Sequence, residues 1–287
     1  MKSKMIIVDF QQVVISNLMV SLGKHTNIEI EESLLRHMVL NSIRGYNVKF
    51  RSTYGEMTIA CDGYNYWRKE INPYYKANRK KDRDESEIDW NHVFTVLNKI
   101  REELKEFFPY RVVHIEDAEA DDVIGTLCHN NANTNEKILV ISADKDFKQL
   151  QKYINVEQYD PINNRWLREN DPGRFLKEHI MRGDTSDGLC NFLSPTNSLV
   201  LGVRQKSVFQ KKLDVWVTQE PEDFCDDEML RRYRENEVMI DLDMIPEEIQ
   251  TRITNAYDTQ ANKGRSKLFN YFIEHKLKNL ISDIADF

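Results

Sequence analysis

The sequence lacks the features that mark a secreted, membrane-spanning or zinc-stapled protein. Its four cysteines, Cys61, Cys128, Cys190 and Cys225, stand far apart and form no CxxC pair. That argues against a zinc ribbon and against a disulfide scaffold. The seven histidines do not pair at metal-ligand spacing. No run approaches the roughly 18–20 apolar residues of a membrane helix, so no membrane partner is expected. The stretch from Met1 to Phe10 has a short apolar run but no long hydrophobic region and no small-residue cleavage site, unlike a signal peptide. Together these absences point to a reducing cytosol. An excess of positive charge is missing too: 40 Lys and Arg face 47 Asp and Glu, a formal net charge of −7.

The charge total hides a segregation. From Asp214 to Glu248 there are 13 acidic and 3 basic residues, a local −10, so the remainder sums to +3. Between Arg68 and Arg83 seven basic residues face only Glu70 and Asp82. From Gly188 to Leu213 there are four basic residues and no acidic one. Charge placement therefore leaves a polyanionic ligand open. The acidic stretch reads as a solvated helical surface, or as one that faces away from nucleic acid and docks a protein.

With 287 residues, 40% hydrophobic and 30% charged, the chain is expected to be soluble and globular, with one large domain or two smaller ones. The first 160 residues alternate between strand-like and helix-like segments. Apolar runs at Met5–Val8, Met57–Cys61, Arg111–Ile115, Lys137–Ala143 and Ile154–Tyr159 read as strands. Helical periodicity covers Glu31–Val48, Asp89–Phe108 and Ala120–Asn130, with Pro109 ending the second. This pattern predicts an α/β fold, a mostly parallel sheet with helices on both faces, over residues 1–171. Residues 172–287 read as a helical C-terminal part. The segment 71–90 is polar and basic with little periodicity, which in a compact domain marks function or disorder.

The placement of acids carries the functional signal. The first strand ends in Asp9 and the second is followed by Asp62. Glu119, Asp121 and Asp122 follow the third, and Asp144 and Asp146 follow the fourth. Parallel α/β sheets bind ligands beyond the carboxyl ends of their strands, so four strands deliver carboxylates to one edge. Asp184 and Asp187 follow a later helix. A single strand-end Asp is usually a turn or helix cap. Nine carboxylates sharing one site need either protons or cations to neutralise them, because two at about 4 Å repel by about 4 kcal/mol at an effective dielectric near 20. Oxygen ligands without His or Cys indicate Mg²⁺, with Mn²⁺ as a substitute. Two such ions suit phosphodiester hydrolysis. Asp9, Asp62, Glu119, Asp122, Asp144 and Asp146 stand as the firmer ligands. Glu119 and Asp122 share a helix face, and Asp121 points elsewhere and can serve a second ion.

The basic segment supplies phosphate-binding groups: Lys76 for the scissile phosphate, Arg79 for a bidentate grip, Lys80 and Lys81 beside them, and Tyr75 to stack a terminal base. A solvated basic loop is the plainer alternative.

Taken in order, Asp9, Asp62, the YYKANRKK run at 74–81, the Glu-Ala-Asp-Asp run at 119–122, Ser-Ala-Asp-Lys-Asp at 142–146 and Gly-Asp-Thr-Ser-Asp at 183–187 resemble the 5′-nuclease (flap endonuclease) superfamily. Within it the chain resembles the ribonucleases H of T-even-type bacteriophages, through residues 232–236 and 240–243 to its end. The resemblance implies a PIN-like core and a 5′-to-3′ exonuclease with flap endonuclease activity, removing lagging-strand RNA primers. It implies metal roles for all nine carboxylates, phosphate contact for Lys76 and Arg79, and an arch or bridge at 71–90. Implied partners are RNA–DNA hybrid and duplex DNA with 5′ ends or flaps, a phage single-stranded DNA-binding protein through the C-terminal part, and the sliding clamp. The implied location is the cytoplasm of an infected bacterial host.

One departure concerns the stretch after Asp187. Cellular members carry a glycine-rich helix–hairpin–helix there that binds duplex with a K⁺ ion, whereas here Gly202 stands alone. Arg204, Lys206, Lys211 and Lys212 remain able to hold duplex phosphates by charge. Two competing readings fit the residues less well. A haloacid-dehalogenase-type phosphatase needs an acid two residues after Asp9, where Gln11 stands. A catalytically inactive flap- or duplex-binding protein of the same fold fits the complete carboxylate set poorly.

Overall fold

A computed structural model of the chain describes residues 4–23, 30–132, 134–261 and 263–287, with the side chains of Lys80 and Asp82 outside the described part. The strands are β1 (Met5–Asp9), β2 (Glu56–Cys61), β3 (Arg111–His114), β4 (Ile138–Ile141), β5 (Val156–Asp160) and β6 (Arg165–Leu167). They form one sheet in the order β3-β2-β1-β4-β5-β6. All pairings are parallel except β5 with β6, which is antiparallel. The order reverses direction between β1 and β4, so Asp9 and Asp144 flank the topological switch point.

In the first 182 residues the helices are α1 (Phe10–Leu22), α2 (Glu32–Tyr54), α3 (Arg68–Ile71), α4 (Ala77–Asp84), α5 (Trp90–Phe107), α6 (Ala120–Asn130) and α7 (Pro172–Arg182). Strand alternation sends side chains to two faces. Ile6, Val8, Ile59 and Ile141 face a core built with α1, α2 and α5. Met5, Ile7, Ala60 and Val140 face a second core built with α6. Strands β1, β2 and β4 are buried on both faces, which is why they read as unbroken apolar runs.

The later helices are α8 (Gln210–Trp216), α9 (Pro221–Phe224), α10 (Asp227–Ile240), α11 (Glu247–Asp258), α12 (Leu268–Glu274) and α13 (Lys278–Ile281). The region after Pro172 is helical, as the sequence predicts, but it does not pack as one separate body. Ile180, Phe192, Leu213, Tyr233 and Met239 form a third core. From Leu242 onward the chain returns to the sheet: Leu242, Ile249 and Ile253 complete one face, and Tyr271, Phe272, Leu280 and Phe287 complete the other. Residue 172 therefore marks a change of secondary structure, and the cores cross it.

The segment 71–90 is not a featureless polar loop, because Ala77–Asp84 is helical. The acidic stretch 214–248 is partly ion-paired. Asp214 meets Arg174, Glu222 and Glu237 meet Arg234, and Glu228 and Glu235 meet Arg231. No helix among the described residues is long and apolar enough to cross a membrane.

Candidate active site

Each strand-end acid is fixed by the turn it makes. Asp9 caps α1 by accepting from Gln12 N at 3.3 Å, and its other oxygen accepts from Ser142 Oγ at 2.9 Å. Asp62 accepts from the backbone N–H of Ala120 at 2.8 Å, which ties the end of β2 to the start of α6. Asp144 caps the 3₁₀ segment Lys145–Lys152, accepting from Asp146 N at 2.9 Å. A capping role and a ligand role thus coexist, since each cap occupies only part of a carboxylate.

These turns bring Asp9, Asp62, Asp121 and Asp144 to the wall of one cavity of about 640 Å³, which Lys76 and Arg79 also line. Lys69 and Arg83 line it as well, two cations that the sequence showed only as part of a basic run. The like charges press on one another. Burial, then Asp62 and Asp144, push the Asp9 carboxyl up to about 7. Burial, with Asp144, Glu119 and Asp9, holds Asp121 well above the usual carboxylate range against the pull of Lys76. Asp62 is raised by burial, with Lys76 opposing.

Glu119 and Asp122 have a different environment from Asp121. Both are buried and share one cation, Arg68, whose Nη1 lies 2.9 Å from Glu119 and 2.8 Å from Asp122. Asp122 also accepts from Trp67 Nε1 at 3.1 Å and from Glu119 N at 2.8 Å, closing a capping box at the start of α6. Helical spacing puts these acids on different faces, and so does the structure. Asp122 turns inward to protein donors, and Asp121 faces the cavity.

Lys76, in the left-handed region at φ 55°, pairs with Glu119 and lies 3.6 Å from Asp187. Arg79 Nη2 meets Asp187 at 2.6 Å. Burial opposes ionising Glu119, but Lys76 and Arg68 hold its carboxyl below the ordinary range. Tyr75 corrects an expectation. The residue is 3% exposed and its hydroxyl donates to Glu119 at 3.0 Å, so it does not present a stacking face. Lys81 is exposed on α4, and the side chain of Lys80 lies outside the described part. Arg204, Lys206, Lys211 and Lys212 are exposed on one stretch, and none forms an ion pair with a described residue. They do not line the carboxylate cavity.

The fold also gathers what the sequence kept apart. His179, on α7, lies between Asp146 and Asp184, and the three offer ligand atoms within 4.8 Å of one another. Histidine spacing along the chain gave no sign of this, because the partners come from the β4 loop and the turn after α7. Burial and Asp144 push Asp146 up to about 7, with His179 opposing. Burial also acts on Asp184, but hydrogen bonds from His179, Lys145 and Ser186 hold it far below the usual range.

The residues present fit divalent cations. The donors are hard oxygens, several are mutually repelling, and Asp146 Oδ1 is buried with no hydrogen-bond partner.

Comparison with known proteins places this geometry in a family. Residues 9–178 match the 5′-3′ exonuclease N-terminal resolvase-like domain, and residues 175–287 match the T4 RNase H C-terminal region. Ribonuclease H of Enterobacteria phage T4 is 32% identical over the whole of this chain and 96% of its own length. Flap endonuclease Xni of Shewanella sp. strain MR-4 is 33% identical over 39% of each chain. The fold is similar to that of the T5 D15 protein co-crystallised with metal ions, at a TM-score of 0.62 and 16% identity, covering 90% of this chain and 99% of that one. A pseudo-enzyme–product complex of the bacteriophage T5 D15 flap endonuclease with DNA and metal ions gives a TM-score of 0.59 at the same identity and coverage. The chain belongs to the 5′-3′ exonuclease family, in the group with a T4 RNase H C-terminal region, and is a metal-dependent 5′ nuclease.

Proposed function

We propose that the protein is a Mg²⁺-dependent 5′-to-3′ exonuclease and flap endonuclease that removes RNA primers and adjacent DNA from lagging-strand fragments. The observation that carries this reading is the shared cavity, whose wall holds Asp9, Asp62, Asp121 and Asp144 together with Lys76 and Arg79. Two divalent ions, Mg²⁺ or Mn²⁺ in its place, would supply an activated water and neutralise charge on the leaving 3′ oxygen. Asp9, Asp62, Asp121 and Asp144 would hold them on the cavity side and Asp146 on the other.

The chain's own groups orient the phosphate. Lys76 and Arg79 now neutralise Glu119 and Asp187, and each can turn a donor toward a phosphodiester entering the cavity. Arg79 is 46% exposed at its side chain, so the shift to a phosphate costs it little burial. Tyr75 fixes Glu119 from beneath. The basic segment 71–90 forms the bridge that a 5′ strand passes, and Arg204, Lys206, Lys211 and Lys212 hold the duplex behind it. Proposed protein partners are a phage single-stranded DNA-binding protein, on the C-terminal part, and the sliding clamp, in the cytoplasm of an infected bacterium.

The test uses Asp144→Ala and Asp146→Ala. Each abolishes cleavage of a DNA flap while flap binding measured in EDTA persists. Unchanged cleavage in both variants overturns the site.

A further inference from the structure

The Asp146–His179–Asp184 cluster is not three equivalent ligands. Asp184 has no lone pair to spare. Its Oδ1 accepts from Ser186 N at 2.9 Å and Ser186 Oγ at 2.5 Å. Its Oδ2 accepts from Lys145 Nζ at 2.8 Å and faces His179 Nε2 at 3.2 Å. Four donors fill the four acceptor sites of a carboxylate.

Asp146 is the opposite case. Its Oδ1 is buried without a hydrogen-bond partner, and the nearest cation-capable atom is His179 Nδ1 at 3.5 Å. That separation is too long for a hydrogen bond. It matches the edge of a coordination shell, since ligands at about 2.1 Å from an ion lie about 3.0 Å apart at a right angle and about 3.4 Å apart at a tetrahedral one.

The imidazole is set for the same role. His179 is 6% exposed, and an ionised, lysine-neutralised Asp184 faces its Nε2. A neutral imidazole there carries its proton on Nε2 and donates it to Asp184, which leaves the Nδ1 lone pair pointing at the Asp146 side. A carboxylate fixing one nitrogen of a histidine whose other nitrogen binds a metal is a recurrent arrangement.

We propose that His179 Nδ1 and Asp146 Oδ1 form a nitrogen–oxygen ligand pair for a divalent transition ion, with Asp184 as the residue that positions the imidazole. This rests on the metal-dependent reading above. It also divides the centre: the cavity carboxylates offer oxygen only, and this side offers a nitrogen, which favours a first-row transition ion over Mg²⁺.

The test loads the full-length protein with Mn²⁺ in the absence of nucleic acid and records pulsed electron paramagnetic resonance. The expected spectrum shows coupling to a directly bound ¹⁴N. His179→Gln abolishes that coupling while Mn²⁺ still binds at the cavity carboxylates. Asp184→Asn lowers Mn²⁺ affinity by about 10- to 100-fold, which a purely structural role would not do. Bound Mn²⁺ with no nitrogen coupling in the unaltered protein overturns the ligand pair and leaves the nuclease reading standing. No bound Mn²⁺ overturns both. Because the first spectrum needs no variant, a misfolded His179→Gln protein does not blunt the test.

Discussion

Arg68 Nε donates to the main-chain carbonyl of Met239 at 2.9 Å. The same guanidinium holds Glu119 and Asp122 and stacks 4.4 Å from the Trp67 ring centroid. One 2%-exposed side chain therefore ties the carboxylates at the start of α6 to the end of α10, reaching a carbonyl 171 residues from Arg68 in sequence.

Removing that cation leaves the buried Asp122 without an ion-pair partner among the described residues and Glu119 with Lys76 alone. Arg68→Leu is expected to destabilise the protein by about 3–5 kcal/mol, the range for breaking a buried ion pair from one side. Urea unfolding measures it. A loss below about 1 kcal/mol means that the ion pairs do not hold the two halves together.

The proposed role of Lys76 is on the phosphate and not on the fold, since Arg68 and Tyr75 still hold Glu119 without it. Lys76→Ala should lower the single-turnover cleavage rate by about 10²–10³-fold, the scale of losing one charge-stabilising donor. Duplex binding should change by less than tenfold. A rate within a factor of a few of the unaltered enzyme excludes Lys76 from the reacting phosphate.

The crowded carboxylates predict an inverted pH dependence for the metal-free protein. Asp9 and Asp146 titrate near 7 when folded, so the folded state binds more protons than the unfolded one between about pH 4 and 7. Their contribution to stability is therefore greatest at the acidic end of that window and falls as pH rises through 7. In EDTA the melting temperature should be higher at about pH 5.5 than at about pH 7.5, and millimolar Mg²⁺ should flatten the difference. Asp121→Asn, which removes one repelling charge, should raise the melting temperature at the higher pH while suppressing cleavage. Equal melting temperatures at the two pH values, with and without Mg²⁺, contradict the crowding.

The exposed cations of the α8 region are expected to bind duplex by charge. Replacing Arg204, Lys206, Lys211 and Lys212 with alanine together should reduce the slope of log K against log salt by up to about 0.9 for each phosphate that is no longer neutralised. Fluorescence anisotropy on blunt duplex reads it. An unchanged slope means that this face does not touch the backbone.

The sheet and its acids are legible in the sequence because each depends on local rules. Strands buried on both faces read as apolar runs, and an Asp directly after such a run lies at the carboxyl edge whatever the rest of the chain does. Helix α1 is blurred because apolar Met19 and Val20 lie exposed outside its buried side of Phe10, Val13, Val14, Leu18 and Leu22. Strand β6 is three residues long and pairs antiparallel at an edge, too short for periodicity to show. Arg68 and His179 cannot be picked out for a different reason. Each is a single polar residue in a helix, and each has a defining partner more than thirty residues away, Asp122 for Arg68 and Asp146 for His179. Tyr75 misleads because sequence shows that a ring is present and not which side of it the third core covers. The C-terminal return to both faces of the sheet is equally hidden, since the helices of residues 242–287 carry no mark of which core they complete.

The most direct measurement is cleavage of a 5′-labelled RNA–DNA hybrid and a 5′-labelled DNA flap by the purified protein, with Mg²⁺ and with EDTA. Release of short 5′ fragments from both substrates in Mg²⁺, leaving a 5′-phosphate and a 3′-hydroxyl, and none in EDTA, is the predicted result. Intact substrates in Mg²⁺, with the flap still bound, would contradict a catalytic role for the carboxylate cavity.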